Sequence, residues 1–276
     1  MRLIATILQG ARACWWMNLG GMYLIGAVLG AHNLHDLLAR RLWPAFLFFV
    51  LLANFLLDGV NELCAHEPAA LQDPVARRAP ARRRRLFWCV LAAMLANCVL
   101  IGLARDWREQ LLLGLFLVLA LLDSLPPVRL QARPVLDLLA GGLYVLPAFV
   151  GYYQARGHAP ATLVIVAALC WAGALRLLPA VQDVLYGHEA DARTTAVALG
   201  VRVSLLACAL LWSGFALIVV LRGDLMPLGV AAFIYPLAGF YLFEHFEMGD
   251  HVARWLPLLN AGLGGAVLVL ALARLI

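Results

Sequence analysis

The chain contains no lysine: all 21 of its basic residues are arginine, which reads first as compositional bias. Charge of either sign is scarce. Only 13% of the 276 residues are charged and 64% are hydrophobic, whereas an ordinary soluble domain carries roughly 25% charge. A chain with so little polar surface cannot cover itself in water. That excludes a soluble enzyme, and no nucleic-acid partner is expected. The six cysteines (Cys14, Cys64, Cys89, Cys98, Cys170 and Cys208) have no CxxC or zinc-like spacing. Most of them fall inside apolar runs, where a thiol packs as a small apolar group. There is no solenoid-period repeat, no low-complexity linker and no stretch that reads as a soluble domain, so residues 1–276 form a single membrane domain. Met1–Gly10 is too short for a cleavable signal and lacks a small-residue cleavage site, so the first apolar run is expected to stay in place.

What the chain has in abundance is long apolar runs. Nine approach the roughly 20 residues needed to cross a bilayer: Cys14–Ala31, Leu42–Leu63, Leu86–Ala104, Gln110–Leu125, Asp137–Tyr153, Ala161–Gln182, Val203–Leu221, Leu225–Phe243 and Trp255–Ala273. Backbone groups in lipid must bond within their own segment, and these runs lack strand alternation, so an all-α polytopic bundle is expected. With the N-terminus cytoplasmic, thirteen arginines fall on the inner side (Arg2, Arg12, Arg77, Arg78, Arg82, Arg83, Arg84, Arg85, Arg129, Arg133, Arg193, Arg202, Arg254). Seven fall on the outer side: Arg40, Arg41, Arg105, Arg108, Arg156, Arg222 and Arg274. This asymmetry predicts a bacterial-type inner (plasma) membrane protein with its N-terminus inside and its C-terminus outside.

The polar residues are concentrated in the loops after the second, fourth and sixth runs, which share the predicted inner face. At the end of the second run Asn54, Asp58, Asn61 and Glu62 recur at helical spacing on one face, and His66 and Glu67 extend the stripe if the helix continues. Oxygen donors so arranged suit a hard cation such as Mg²⁺, completed by waters and phosphates; a helix end meeting the headgroup layer explains them equally. The sixth run ends in Asp183, His188, Glu189 and Asp191, followed by Arg193. Two acidic clusters with arginines beside them could hold a diphosphate. Arg129 and Arg133, in a proline-bounded loop, look committed to a ligand, while Arg77, Arg78 and Arg82 to Arg85 also suit anionic lipid. Arg176, inside the sixth run, is expected to reach the inner side or to pair with a carboxylate. Glu244, Glu247 and His251 share a helical face and are a further metal candidate, although a solvated connection accounts for them more simply.

Four stretches carry a resemblance. "ARACWWMNLGG" with Arg12, Trp16 and Asn18, "GVNELCAHE", "PPVRLQARPVLD" followed by "LYVLPAFVGYY", and "AVQDVLYGHEADARTTAVALG" resemble the motifs of the UbiA-type intramembrane prenyltransferases, in particular their lycopene elongase/hydratase-like branch. The resemblance spans nearly the whole chain. It implies nine helices around a lipid-accessible cavity capped by two acidic loops, with Mg²⁺ bridging those loops to an isoprenyl diphosphate. The diphosphate leaves, and an apolar lipid acceptor, here a carotenoid, captures the allylic cation. On this reading Asn61, Glu62 and Asp183 are catalytic. Asn61, Glu62, Asp183 and Glu189 hold metal. Asp58, Arg77, Arg78, Arg129, Arg133, Tyr144, Glu189 and Arg193 bind substrate. Tyr144, Tyr152, Tyr153 and Trp171 are candidate cation-facing aromatics, although packing or interfacial anchoring accounts for each more simply.

The chain departs from the family pattern at several positions. Ala65 and Gly187 stand where further aspartates belong, Asp191 replaces a glycine, and Gln131 stands where the branch tends to have lysine. The first motif has two registers, one on Asn61–Glu62 and one on Asn54, Asp58 and Glu62. Two other readings stay open: a catalytically silent relative that binds an isoprenoid or carotenoid or serves a membrane partner subunit, and a small-molecule transporter. Against the transporter, no inverted repeat is visible and the charges gather at one face.

Overall fold

The computed structural model describes residues 13–64, 79–186, 193–223 and 226–275, and every element among them is helical. We label them α1 (Ala13–Gly30), α2 (Leu42–Cys64), α3 (Ala79–Leu103), α4 (Trp107–Ser124), α5 (Leu136–Ala140), α6 (Leu146–Arg156), α7 (Thr162–Tyr186), α8 (Thr195–Leu199), α9 (Val201–Leu221), α10 (Met226–Ala232), α11 (Ile234–Glu244) and α12 (Gly249–Ala273). Large apolar side chains such as Leu103, Leu111, Val118, Leu210, Leu221, Trp255 and Val269 point outward. In water such a surface would aggregate; in lipid it is solvated, and the protein is an integral membrane protein.

Among the described residues six segments are long and apolar enough to cross a bilayer: Leu42–Cys64, Arg83–Leu103, Thr162–Leu185, Val201–Leu221, Met226–Glu244 and His251–Ala273. A bent pair, Leu136–Tyr144 with Leu146–Arg156, makes a seventh if counted as one span. The expected Asp137–Tyr153 run is therefore not one straight helix. Gly141–Tyr144 tightens into a 3₁₀ turn and Pro147 restarts the helix, so the two pieces meet at 45°. The expected Gln110–Leu125 run begins earlier, at Trp107. Asp106 caps it, accepting from the backbone N–H groups of Arg108 (3.0 Å) and Glu109 (3.1 Å). The Tyr153 hydroxyl, more than those amides, holds the Asp106 carboxyl below its usual range.

Two cores hold the bundle. In the first, Tyr23, Phe48, Phe49 and Phe116 meet, with the Phe49 and Phe116 rings edge-on at 5.2 Å. In the second, Trp212, Tyr235 and Leu205 of α9 and α11 pack with Leu177 and Leu178 of α7. Helices α1 and α6 approach closely enough for backbone to touch backbone. Gly26 and Gly30 on α1 form a G-x-x-x-G pair facing Ala148, Tyr152 and Ala155, while Gly151 on α6 faces Tyr23 and Ala27. A methyl at Gly151 would lie 2.2 Å from the Tyr23 carbonyl oxygen, and one at Gly26 would lie 1.8 Å from that of Ala148. Gly151→Ala must push the helices apart, and we expect a loss of about 3 kcal/mol. The check is the fraction of detergent-solubilised protein that stays monodisperse after heating, compared with Gly21→Ala, where the added methyl meets nothing within 4 Å.

Candidate functional site

Hydrogen bonds between distant segments identify the two ends of the bundle. At one end Tyr23 donates to the Leu42 carbonyl (2.9 Å), Gln154 donates to Glu109 (2.6 Å), Tyr153 donates to Asp106 (2.6 Å), and Arg156 meets His32 (3.0 Å). At the other end, the C-terminal end of α2, the loop after α4 and α8 converge. Gln131 Nε2 donates to Asn61 Oδ1 (2.9 Å), and the Val135 N–H donates to Thr195 Oγ1 (2.7 Å). Arg83 Nη2 donates to the Leu63 carbonyl (2.9 Å), capping the C-terminus of α2 just past Asn61 and Glu62.

The α2 stripe forms only in part. Asn54 is buried, whereas Asp58, Asn61 and Glu62 are exposed. The reason is local: Phe48–Leu52 and Phe55–Gly59 are π-helical turns, and the wider turn shifts residues off the 3.6-residue register. Asn54 therefore belongs to the interior, while Asp58, Asn61 and Glu62 sit at the helix end.

Arg176 ties this end to the interior. Its Nη2 lies 3.3 Å from Asp123 Oδ1 and 3.3 Å from Gln131 Oε1, and its guanidinium also faces the Tyr144 hydroxyl. Asp58 lies within electrostatic range of the same tyrosine. A chain of contacts thus runs from Asp123 through Arg176 and Gln131 to Asn61. Gln131 accepts from Arg176 and donates to Asn61 at once, which a lysine could not do. Asp183 lies two turns beyond Arg176 on α7, on the same face and about 10 Å nearer the end of the helix, with Pro179 between them.

The loop between α4 and α5 carries Arg129 and Arg133, both exposed. Arg133 Nη2 donates to the Pro127 carbonyl at 2.8 Å. Arg129 and Val135 have positive φ, 39° and 68°. For a β-branched valine that conformation costs about 1–3 kcal/mol and persists only where its surroundings hold it. Arg193 is exposed beside Thr194.

Not every expected residue falls here. Tyr153 bonds Asp106, and Tyr152 packs its ring against His158 at 6.0 Å, so both sit at the opposite end, where they pack and anchor rather than face a cation. Tyr144 and Trp171 remain inside the bundle, Trp171 at 6.5 Å from Phe215. Glu247 pairs with His245 at 3.7 Å on an exposed turn, as a solvated connection would. Among the described residues no three His, Cys, Asp or Glu side chains gather as a metal site. Arg12, His66, Glu67, Arg77, Arg78, His188, Glu189 and Asp191 lie outside the described residues. The residues that sequence reasoning missed are Asp123, the partner of Arg176, and Asp137, which is 2% exposed and bonded to Thr195. Their signal was an ionisable group at the edge of an apolar run.

No family model matches the chain. It is 31% identical over 268 residues to the lycopene elongase/hydratase of Haloferax volcanii, covering 96% of this chain and 88% of the relative. The chain belongs to the UbiA-type prenyltransferases, in their lycopene elongase/hydratase-like branch. It is also 27% identical over 275 residues to the lycopene elongase/hydratase of Haloarcula japonica, covering 98% and 92%. Its fold matches that of a UbiA homologue from Archaeoglobus fulgidus solved with GPP and Mg²⁺, with a TM-score of 0.69, 18% identity and coverage of 98% and 99%. The sequence-based family resemblance is confirmed.

Proposed function

We propose that this prenyltransferase moves an isoprenyl group from an allylic diphosphate to an apolar acceptor, a carotenoid of the lycopene type. The observation that carries the reading is the contact chain Asp123–Arg176–Gln131–Asn61, which joins three separate segments at the end of the bundle where Glu62 and Asp183 also lie. A relay of partly buried hydrogen bonds that ends by orienting one exposed asparagine is organised for a ligand. The contact to Asn61 supports the motif register that pairs Asn61 with Glu62. The names of the relatives supply the acceptor class, and the GPP-bound homologue supports the donor class.

In this mechanism Asn61, Glu62, Asp183 and Glu189 would hold Mg²⁺. Amide and carboxylate oxygens are the donors this hard cation takes, and because it keeps waters and substrate phosphates in its shell it does not need a wholly protein cage. When bound, it supplies charge neutralisation on the leaving diphosphate. Arg129, Arg133 and Arg193, with Arg77 and Arg78, grip the diphosphate oxygens, and Asp58 supports Glu62 from one turn back. Tyr144 offers a ring face and a hydroxyl positioned by Arg176. The donor's C–O bond breaks, the acceptor alkene forms a C–C bond to the allylic carbon, and the resulting cation loses a proton or takes up water. A dry interior protects the cation until then. The full arrangement is nine spans around a lipid-accessible cavity in an inner membrane, with the N-terminus cytoplasmic and the C-terminus outside.

The test uses purified protein in detergent with dimethylallyl or geranyl diphosphate. Magnesium-dependent release of diphosphate, accelerated by lycopene with formation of a heavier carotenoid, is the expected result; no release from either donor would sink the reading. A smaller change probes the contact chain. Gln131→Leu frees Asn61 and removes one acceptor from Arg176, and the donor KM should rise about tenfold, the value of one good hydrogen bond to a charged ligand site.

A further inference from the structure

The loop that carries Arg129 and Arg133 is fastened at two points, its middle and the start of α5. Gln131 holds it to Asn61 on α2. At the second point Asp137, 2% exposed, meets Thr195, 3% exposed, in the segment that follows the second acidic motif in the chain. The Thr195 N–H donates to Asp137 Oδ2 at 2.7 Å, and the Thr195 hydroxyl donates to Asp137 Oδ1. The Leu138 N–H donates to the same Oδ1 at 2.9 Å. The Thr195 oxygen in turn accepts from the Val135 N–H at 2.7 Å. One hydroxyl therefore bonds both the buried carboxylate and the residue whose φ of 68° needs holding. Arg176 lies within electrostatic range of Asp137, so the clamp and the contact chain share one charge environment.

We propose that Asp137 and Thr195 are a positioning pair: their clamp fixes the arginine loop against α8 and so sets where Arg129 and Arg133 stand relative to the acidic ends of α2 and α7 that would hold the metal. Neither residue touches the donor. The proposal rests on the prenyl-transfer reading for its functional half and on geometry alone for its structural half. A buried carboxylate with three donors in place is an expensive way to fasten a loop, and a leucine–alanine contact would fasten it as well. Hydrogen bonds add direction: they fix Val135, and with it the path of the chain from Arg129 to Arg133, in one conformation.

The variants are Thr195→Val, Asp137→Asn, the two combined, and Thr195→Ser. Backbone hydrogen exchange over residues 126–138 reads the clamp without any turnover. It should accelerate at least about tenfold in Thr195→Val and stay near wild type in Thr195→Ser, with α1 and α6 unchanged. Unchanged exchange in Thr195→Val overturns the clamp. Donor KM and the Kd of magnesium pyrophosphate read the positioning role. Both should rise about tenfold in each single variant, kcat should change less, and the double variant should resemble either single one, because two partners in one contact are not additive. Faster exchange with unchanged KM and Kd, or additive losses in the double variant, overturns the positioning role. If the wild-type protein neither binds pyrophosphate nor releases diphosphate, the functional reading falls and the positioning role with it, while the exchange experiment still decides the clamp.

Discussion

Asp183→Ala is expected to abolish magnesium-dependent diphosphate release, lowering kcat/KM by at least about a hundredfold. The expectation rests on how few anionic donors remain. Ala65 and Gly187 stand where the family pattern has aspartates, so on the proposed reading each remaining carboxylate would carry a larger share of the metal's charge. Asp183 also sits where a loss is easiest to interpret. It is exposed near the end of α7, two turns beyond Arg176, and outside both hydrophobic cores. The melting midpoint in detergent, measured alongside, separates loss of the metal ligand from loss of the fold. Glu62→Ala should behave alike, with raising Mg²⁺ restoring part of its activity because a weakened metal site fills at higher concentration. A protein that carries out its role unchanged with both residues replaced is the silent, isoprenoid-binding relative rather than an enzyme. The comparison needs only wild type, the two variants, and diphosphate release measured across a magnesium series.

How much of this could be read from the chain depends on the distance over which the physics acts. The membrane class followed from composition, because transfer of apolar surface is additive and needs no knowledge of contacts. Asn61, Glu62 and Asp183 stand out as candidates because ionisable and amide groups at the ends of apolar runs are costly and therefore few. The pairing of Arg176 with a carboxylate was expected on the same ground. Its partner was not legible, since Asp123 lies 53 residues away and packing alone decides which of several carboxylates a guanidinium reaches. The break at Val145 had local signals in Gly141, Gly142 and Pro147. The unbroken apolar character across them concealed it, because lipid exposure and burial in protein both favour apolar side chains. The π turns in α2 left no such trace, and they moved Asn54 off the stripe that simple helical spacing gives it. Asp137 was mistaken for the mere start of a span. A carboxylate next to an apolar run marks a helix N-terminus and a buried clamp equally well, and only Thr195, 58 residues on, tells them apart.

Arg176→Gln is the substitution that should cost both stability and activity, and the two losses can be separated. Arg176 Nη2 and Asp123 Oδ1 are 3.3 Å apart, with side chains only 22% and 13% exposed. Removing one partner leaves a carboxylate facing an apolar interior without its counter-charge. Breaking such a pair costs about 3–5 kcal/mol when fully buried; with this partial exposure we expect about 2–3 kcal/mol, or a fall of several degrees in the midpoint of thermal inactivation. Asp123→Asn in the same chain removes the stranded charge, so the double variant should recover most of the lost midpoint. Activity should not follow. Arg176 also donates to Gln131 and faces Tyr144, and neither contact returns when Asp123 is neutralised. Asn61 then loses the support behind its own partner, and the donor KM should stay raised by about tenfold or more in the double variant. Recovery of stability and KM together would mean that Arg176 acts only as a counter-ion for Asp123, and the contact chain to Asn61 would carry no function. Recovery of stability alone places the guanidinium in the machinery that holds the diphosphate end of the donor.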